Sequence, residues 1–140
     1  MIPTSQADAT TQAERRAALI PAVQRYFDLM YDSDTSAFDT VVAPTVQLHG
    51  YRNGRFVMWS ASMYKEILQE RRSPKSLDAA RRDEILLMDF TSDAMAFVKV
   101  RLRIAAQEFV DYLTWHRIDS KWLITSKGFD LEAGAASTQA

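Results

Sequence analysis

Apolar and polar residues follow two different periods along this chain, and the change of period divides it. From Gln107 to Phe129 the sequence QEFVDYLTWHRIDSKWLITSKGF reads as two strands joined by a tight turn at Ile118-Asp119-Ser120-Lys121. Glu84 to Thr91 (EILLMDFT) and Ala94 to Ala105 (AMAFVKVRLRIA) read as two further strands. The turns between them fall at Ser92-Asp93 and Ala106-Gln107. Connections this short place consecutive strands antiparallel, so the second half of the chain is expected to form a four-strand meander.

The first half is dominated by helical spacing. From Gln12 to Tyr31, the positions Leu19, Val23, Tyr26 or Phe27, and Met30 form one apolar stripe. Pro21 lies inside it, and because proline removes a backbone hydrogen bond, a kinked or restarted helix is expected. Asp32-Ser33-Asp34 ends this helix. Asp34 or Ser36 then caps a short second helix running to about Val42, with Ser36 and Asp39 at capping-box spacing and Pro44 closing it.

Thr45 to Arg52 alternates, with Val46, Leu48 and Gly50 on one face and Gln47, His49 and Tyr51 on the other. Asn53-Gly54 turns the chain into a return strand, Phe56 to Trp59. Ser60 caps a third helix with the stripe Met63, Tyr64, Ile67 and Leu68, ending near Arg72. The charged segment Lys75 to Asp83 is open between loop and strand. Helices gathered on one side of such a sheet make an α+β architecture. The specific expectation is a curved mixed or antiparallel sheet wrapped around three N-terminal helices, a cone whose mouth is a natural ligand site.

Composition narrows the classes. The chain has 140 residues, enough for one domain with a substantial core. Residues 1–11 are expected to be a disordered arm, 12–131 the domain and 132–140 a disordered tail. A formal net charge of −1 argues against a nucleic-acid partner. No apolar run reaches the ~20 residues of a membrane span, and the N-terminus lacks the pattern of a secretory signal, so the cytoplasm is the expected location. With no Cys, two His and no ligand-spaced cluster, neither a metal nor a cofactor is expected.

Within this order, VQRYFDLMYDSD, FDTVVAPTVQLHGYRNGRF and FVDYLTWHRIDSKWLITSKGF resemble the nuclear transport factor 2-like superfamily, the cystatin-like α+β cones, over roughly Ala17 to Leu131. The last segment is most similar to the putative lumazine-binding branch, in which an Asp-Tyr-Leu segment, a turn, a Trp and a late Lys recur, here Asp111-Tyr112-Leu113, Trp122 and Lys127. SnoaL-like and ketosteroid-isomerase-like proteins are also similar. The resemblance implies a homodimer packed through the sheet with one pocket per subunit. It does not fix a reaction, since isomerases, dehydratases, polyketide cyclases and binding modules share this fold.

The residues offer several candidates. His49 with Tyr51 forms a polar strand face that lines the pocket or meets solvent or a partner. Tyr112, Thr114 and His116 share a face opposite Asp111, Leu113 and Trp115, and would line the cone if His116 points inward. Asp111 and Lys127 are either a cross-strand ion pair or, in the sharper reading, a ligand site with Lys127 binding an anion. One bulged register sets them opposite each other, whereas a simple two-residue turn sets Lys127 opposite Tyr112. Lys99, Arg101 and Arg103 form a basic stripe.

The leading reading is a small-molecule-binding domain lined by His49, Tyr51, Trp59, Tyr112, His116 and Lys127. A cofactor-independent isomerase, dehydratase or cyclase would take its base from His49, Asp89, Asp111 or His116. An interaction module with a pocket filled by side chains is the third class.

Overall fold

The computed structural model describes residues 4–132, with side chains from residue 11 onward. Helix α1 (Thr4–Asp32) runs unbroken through Pro21. Pro21 and Ala17, the residue whose carbonyl loses its partner, are both exposed, so water can take the place of the missing N–H and no restart is needed. The helix begins ahead of the expected Gln12. The tail beyond Glu132, and residues 1–3 of the arm, lie outside the described residues.

The stripe on α1 is broad. Leu19, Val23, Tyr26, Phe27, Leu29 and Met30 are all buried. A short 3-10 helix (Thr35–Thr40) follows, capped by Asp34, whose Oδ1 accepts from the Ser36 backbone N–H at 3.1 Å; the Ser36–Asp39 capping box does not form. Strand β1 (Val42–Arg52) starts earlier than expected and takes in Pro44. Its pairing with β6 shifts register between Val42 and Gln47, and this interruption in the ladder accommodates a residue with no N–H to donate.

Asn53 and Gly54 both have positive φ, 53° and 76°, as a two-residue hairpin turn demands. The turn leads into β2 (Arg55–Ser60). Ser60 caps α2 (Ala61–Glu70), with its Oγ accepting from the Met63 N–H at 3.3 Å. Tyr64 and Leu68 are buried on α2, whereas Met63, expected in the core stripe, is 47% exposed. Lys75 to Arg82 is loop. It is pinned to the end of α1 by Tyr31, whose hydroxyl donates to the Ala79 carbonyl at 2.8 Å, and by the Arg81–Asp28 ion pair at 2.7 Å.

The meander forms as expected: β3 (Asp83–Phe90), β4 (Met95–Ile104), β5 (Gln107–Ile118) and β6 (Lys121–Leu131). Strand β6 also pairs with β1, in parallel, giving the order β2-β1-β6-β5-β4-β3. The sheet is therefore mixed. Helix α1 lies against β3, β4 and β6, and α2 against β1 and β2. The inner face carries Val46, Leu48, Val98, Val100, Leu113 and Trp115, each at most 2% exposed. Among the described residues, no helix packs on the outer face. Among the described residues, no helix is long and apolar enough to cross a membrane.

Candidate functional site

The hairpin register decides which side chains reach the inside of the cone. Pairing of β5 with β6 starts at Ile118 opposite Lys121 and slips by one between Thr114 and Trp115, leaving Thr125 as the extra residue. Beyond the slip Lys127 lies opposite Leu113, and Asp111 lies opposite Phe129. Neither expected register holds. Lys127 and Asp111 become diagonal neighbours on the inner face, close enough to meet.

They are the two buried charged residues described, 7% and 1% exposed. Lys127 Nζ is 3.7 Å from Asp111 Oδ2 and donates to the Tyr64 hydroxyl at 2.9 Å. That hydroxyl in turn donates toward Met30 Sδ at 3.1 Å. The Tyr26 hydroxyl makes a very short hydrogen bond to Asp111 Oδ2. The ammonium is flanked by the faces of Tyr64, Tyr26 and Phe129, at 4.8, 5.3 and 5.6 Å from their ring centroids.

These neighbours account for the protonation states. Burial alone would pull Lys127 down, but the Asp111 carboxylate and the Tyr64 hydroxyl outweigh it and leave the ammonium above its ordinary value. Burial, followed by the charge of Asp111, pushes Tyr26 well up. The result is a protonated Lys127 and a neutral Tyr26 on either side of Asp111.

The charged pair lies at the buried end of a cavity of about 350 Å³. The cavity opens where β1, β4 and β6 end and β2 and β5 begin. Trp59 forms one wall, stacked on Phe129 at 5.2 Å and parallel to Tyr64 at 6.3 Å. Gly50 makes room for that stack, because a Cβ there would overlap both the carbonyl oxygen and the ring of Phe129. Ile67 of α2, Ile104 and Phe109 complete the apolar walls, and Arg52, Arg71 and Arg72 stand among the lining residues.

The residues expected on the pocket wall separate into two groups. Trp59, Lys127 and Asp111 line the cavity, and Tyr51 stands at its edge. His49, Tyr112 and His116 instead belong to the outer face, the opposite side of the same strands, because Leu48, Asp111 and Leu113 take the inner positions. Asp89 is likewise exposed on the outer side of β3. His49 and Tyr112 border a second, shallow depression there with Phe56, Lys99 and Arg101. His116 Nδ1 lies 2.6 Å from Thr125 Oγ1 at the bulge.

Of the basic stripe, Arg101 bonds both Glu132 and Glu84, while Lys99 lies over the Tyr112 ring, 5.4 Å from its centroid. Among the described residues, no three His, Cys, Asp or Glu side chains gather as metal ligands would. Sequence reasoning did not single out Tyr26, Tyr64, Arg52 or Arg71. A signal for the tyrosines existed: a Tyr on an apolar helical stripe must bring its hydroxyl to a partner when buried.

Comparison with known proteins agrees with this architecture. Residues 14–130 match the family described as "Putative lumazine-binding". No curated protein matches the chain. Among solved structures, an NTF-2 like protein of unknown function from Silicibacter pomeroyi DSS-3 superposes with a TM-score of 0.74 at 20% identity, covering 86% of this chain and 98% of that one. A cystatin-like fold protein from Burkholderia xenovorans LB400 gives 0.68 at 13% identity, covering 86% and 93%. A ketosteroid isomerase-like protein from Erwinia carotovora atroseptica SCRI1043 gives 0.64 at 14% identity, covering 84% and 95%. At such identities the shared property is the fold.

Proposed function

The chain belongs to the putative lumazine-binding family, and on that premise we propose that the cavity between α2 and the sheet binds a small organic molecule. The observation that supports this most is an open cavity of about 350 Å³, with apolar walls at Trp59, Ile67, Ile104 and Phe109 and polar groups beside them, that reaches a buried charged pair. That volume is within the range of roughly 300–1,000 Å³ typical of ligand sites, and polar groups converging beside apolar walls are what orient a ligand. Binding takes precedence over proton-transfer catalysis because Asp111, the carboxylate that lines the cavity, already accepts from Tyr26 and faces Lys127. Its charge is engaged within the protein.

The test is a titration with N-phenyl-1-naphthylamine, a neutral dye that fluoresces in apolar surroundings. Saturable one-to-one binding to the parent is expected, with at least tenfold weaker binding to Ile67→Trp, which fills the cavity from α2. Equal affinity for the two proteins, or no saturable binding to either, would refute the reading.

We further propose that a second copy of the chain covers the outer face of the sheet, in keeping with the family resemblance. In support, the large exposed apolar side chains Tyr51, Phe56, Met58, Leu87 and Tyr112, each 50–61% exposed, sit on that one face. They are layered: His49 stacks on Phe56 at 6.0 Å and Phe97 meets Tyr112 edge-on at 5.7 Å. A contiguous exposed patch of this kind favours association.

A further inference from the structure

The charges around the cavity are unbalanced. Arg52, Arg71, Arg72 and Lys127 line it against a single carboxylate, Asp111, and that carboxylate is taken up by Lys127 and Tyr26. Elsewhere on the molecule some arginines hold carboxylates, Arg81 with Asp28 and Asp83 and Arg101 with Glu84 and Glu132, while others such as Arg55 and Arg117 stand exposed without one. Among the described residues, Arg52, Arg71 and Arg72 have no carboxylate within ion-pair distance.

Arg71 is the most telling of the three. It is only partly exposed, and the partners described for it are neutral: Ser33 Oγ at 2.9 Å and the Met30 carbonyl oxygen at 2.5 Å. Burial lowers its pKa, the neighbouring Tyr64 and Tyr26 raise it in part, and the charge of Arg52 lowers it again, so two guanidinium groups beside the same cavity repel each other. A cation withdrawn from water without a counter-charge is costly, and an anion between the two would remove that cost. Arg52 is also oriented for such a role. Its guanidinium lies over Trp59, 5.5 Å from the ring centroid, and a stacked guanidinium keeps its N–H edges free for a planar oxyanion.

We propose that the ligand is a small organic anion, its apolar body against Trp59 and Ile104 and its carboxylate-type oxyanion held by Arg52, Arg71 and Arg72. This rests on the cavity being the ligand site and adds the charge of what enters it. Lys127, already paired, positions the buried end and does not take the anion.

The experiment compares two dyes that differ by one group, 8-anilinonaphthalene-1-sulfonate and its neutral parent N-phenyl-1-naphthylamine. Each is titrated against the parent protein, Arg52→Gln/Arg72→Gln and Ile67→Trp. Arg71 is left intact because it also ties α2 to α1. Binding that survives in Ile67→Trp counts as lying outside the cavity. The sulfonate is expected to bind the cavity at least tenfold more tightly than the neutral dye, and to lose that advantage over the neutral dye in the double variant. Equal affinities in the parent, or a double variant that treats the sulfonate as the parent does, would overturn the anion assignment and leave the cavity reading standing. Failure of both dyes to bind in the cavity would overturn the cavity reading, and the anion assignment with it.

Discussion

Replacing Lys127 by Met removes the ammonium while keeping most of the side-chain volume, and it isolates the buried pair. At 3.7 Å from Asp111 Oδ2, the attraction lost is roughly 4 kcal/mol for an effective dielectric of about 20. The hydrogen bond to Tyr64 is lost as well, while the desolvation cost of burying the ammonium is recovered. The Asp111 charge remains buried, with Tyr26 still bonded to it. Removing one partner of such a pair costs about 3–5 kcal/mol, and the retained Tyr26 bond sets the expectation at the lower end, ~3 kcal/mol.

The companion variant Asp111→Asn keeps an acceptor for Tyr26 and removes the charge. If the pair acts as one unit, Lys127→Met/Asp111→Asn is destabilised by less than the sum of the two single variants, with a coupling energy of about 2 kcal/mol. Urea unfolding followed by far-UV circular dichroism measures all four corners of the cycle, provided the denaturant slopes agree. A Lys127→Met variant within ~0.5 kcal/mol of the parent, or an additive cycle, would refute the buried-pair reasoning.

Three further expectations follow from the same geometry. Lys127 and Tyr26 both hold their protons more tightly when folded than their ordinary values of 10.5 and 10.0 imply. The stability they contribute is therefore complete below ~pH 10 and lost as the pH rises beyond it; the urea midpoint should fall there in the parent and less steeply in Tyr26→Phe/Lys127→Met, and identical alkaline profiles would contradict this. Gly50→Ala places a Cβ on the Phe129 carbonyl and ring and should cost about 1–3 kcal/mol, read as a lowered melting temperature; an unchanged one would show that the Phe129–Trp59 stack yields freely. Phe56→Asp/Tyr112→Asp puts charge on the outer face and should convert a dimer to a monomer by light scattering at micromolar protein, whereas a parent already monomeric would sink the proposed partner.

Most of the fold was legible because two periods rarely coincide by accident. The stripe through Leu19, Val23 and Met30 could only be a helix face, and Val46, Leu48 and Gly50 could only share one strand face. Asn53-Gly54 and Ser60 carried their turn and cap chemistry openly. Pro44 misled because proline more often closes a helix than enters a strand, and here an interrupted ladder admits it.

The site was only half legible. Alternation separates the two faces of β1 and of β5 but does not say which is inward, so His49 on the one and Tyr112 and His116 on the other could be assigned to the wrong side. The one-residue bulge at Thr125, which turns Lys127 inward, leaves no mark in composition or periodicity. The arginines at the cavity come from separate elements, Arg52 at the end of β1 and Arg71 and Arg72 after α2, and only the packing of α2 on the sheet brings them near one another.

The most direct measurement is a crystal structure of the protein with bound N-phenyl-1-naphthylamine. The account predicts the naphthyl ring inside the cone, between Trp59 and the Ile104–Phe109 wall, with Lys127 and Asp111 still paired beyond it. A dye found instead on the outer face, over Phe97 and Tyr112, with the cavity closed by Trp59 and Phe109, would contradict it.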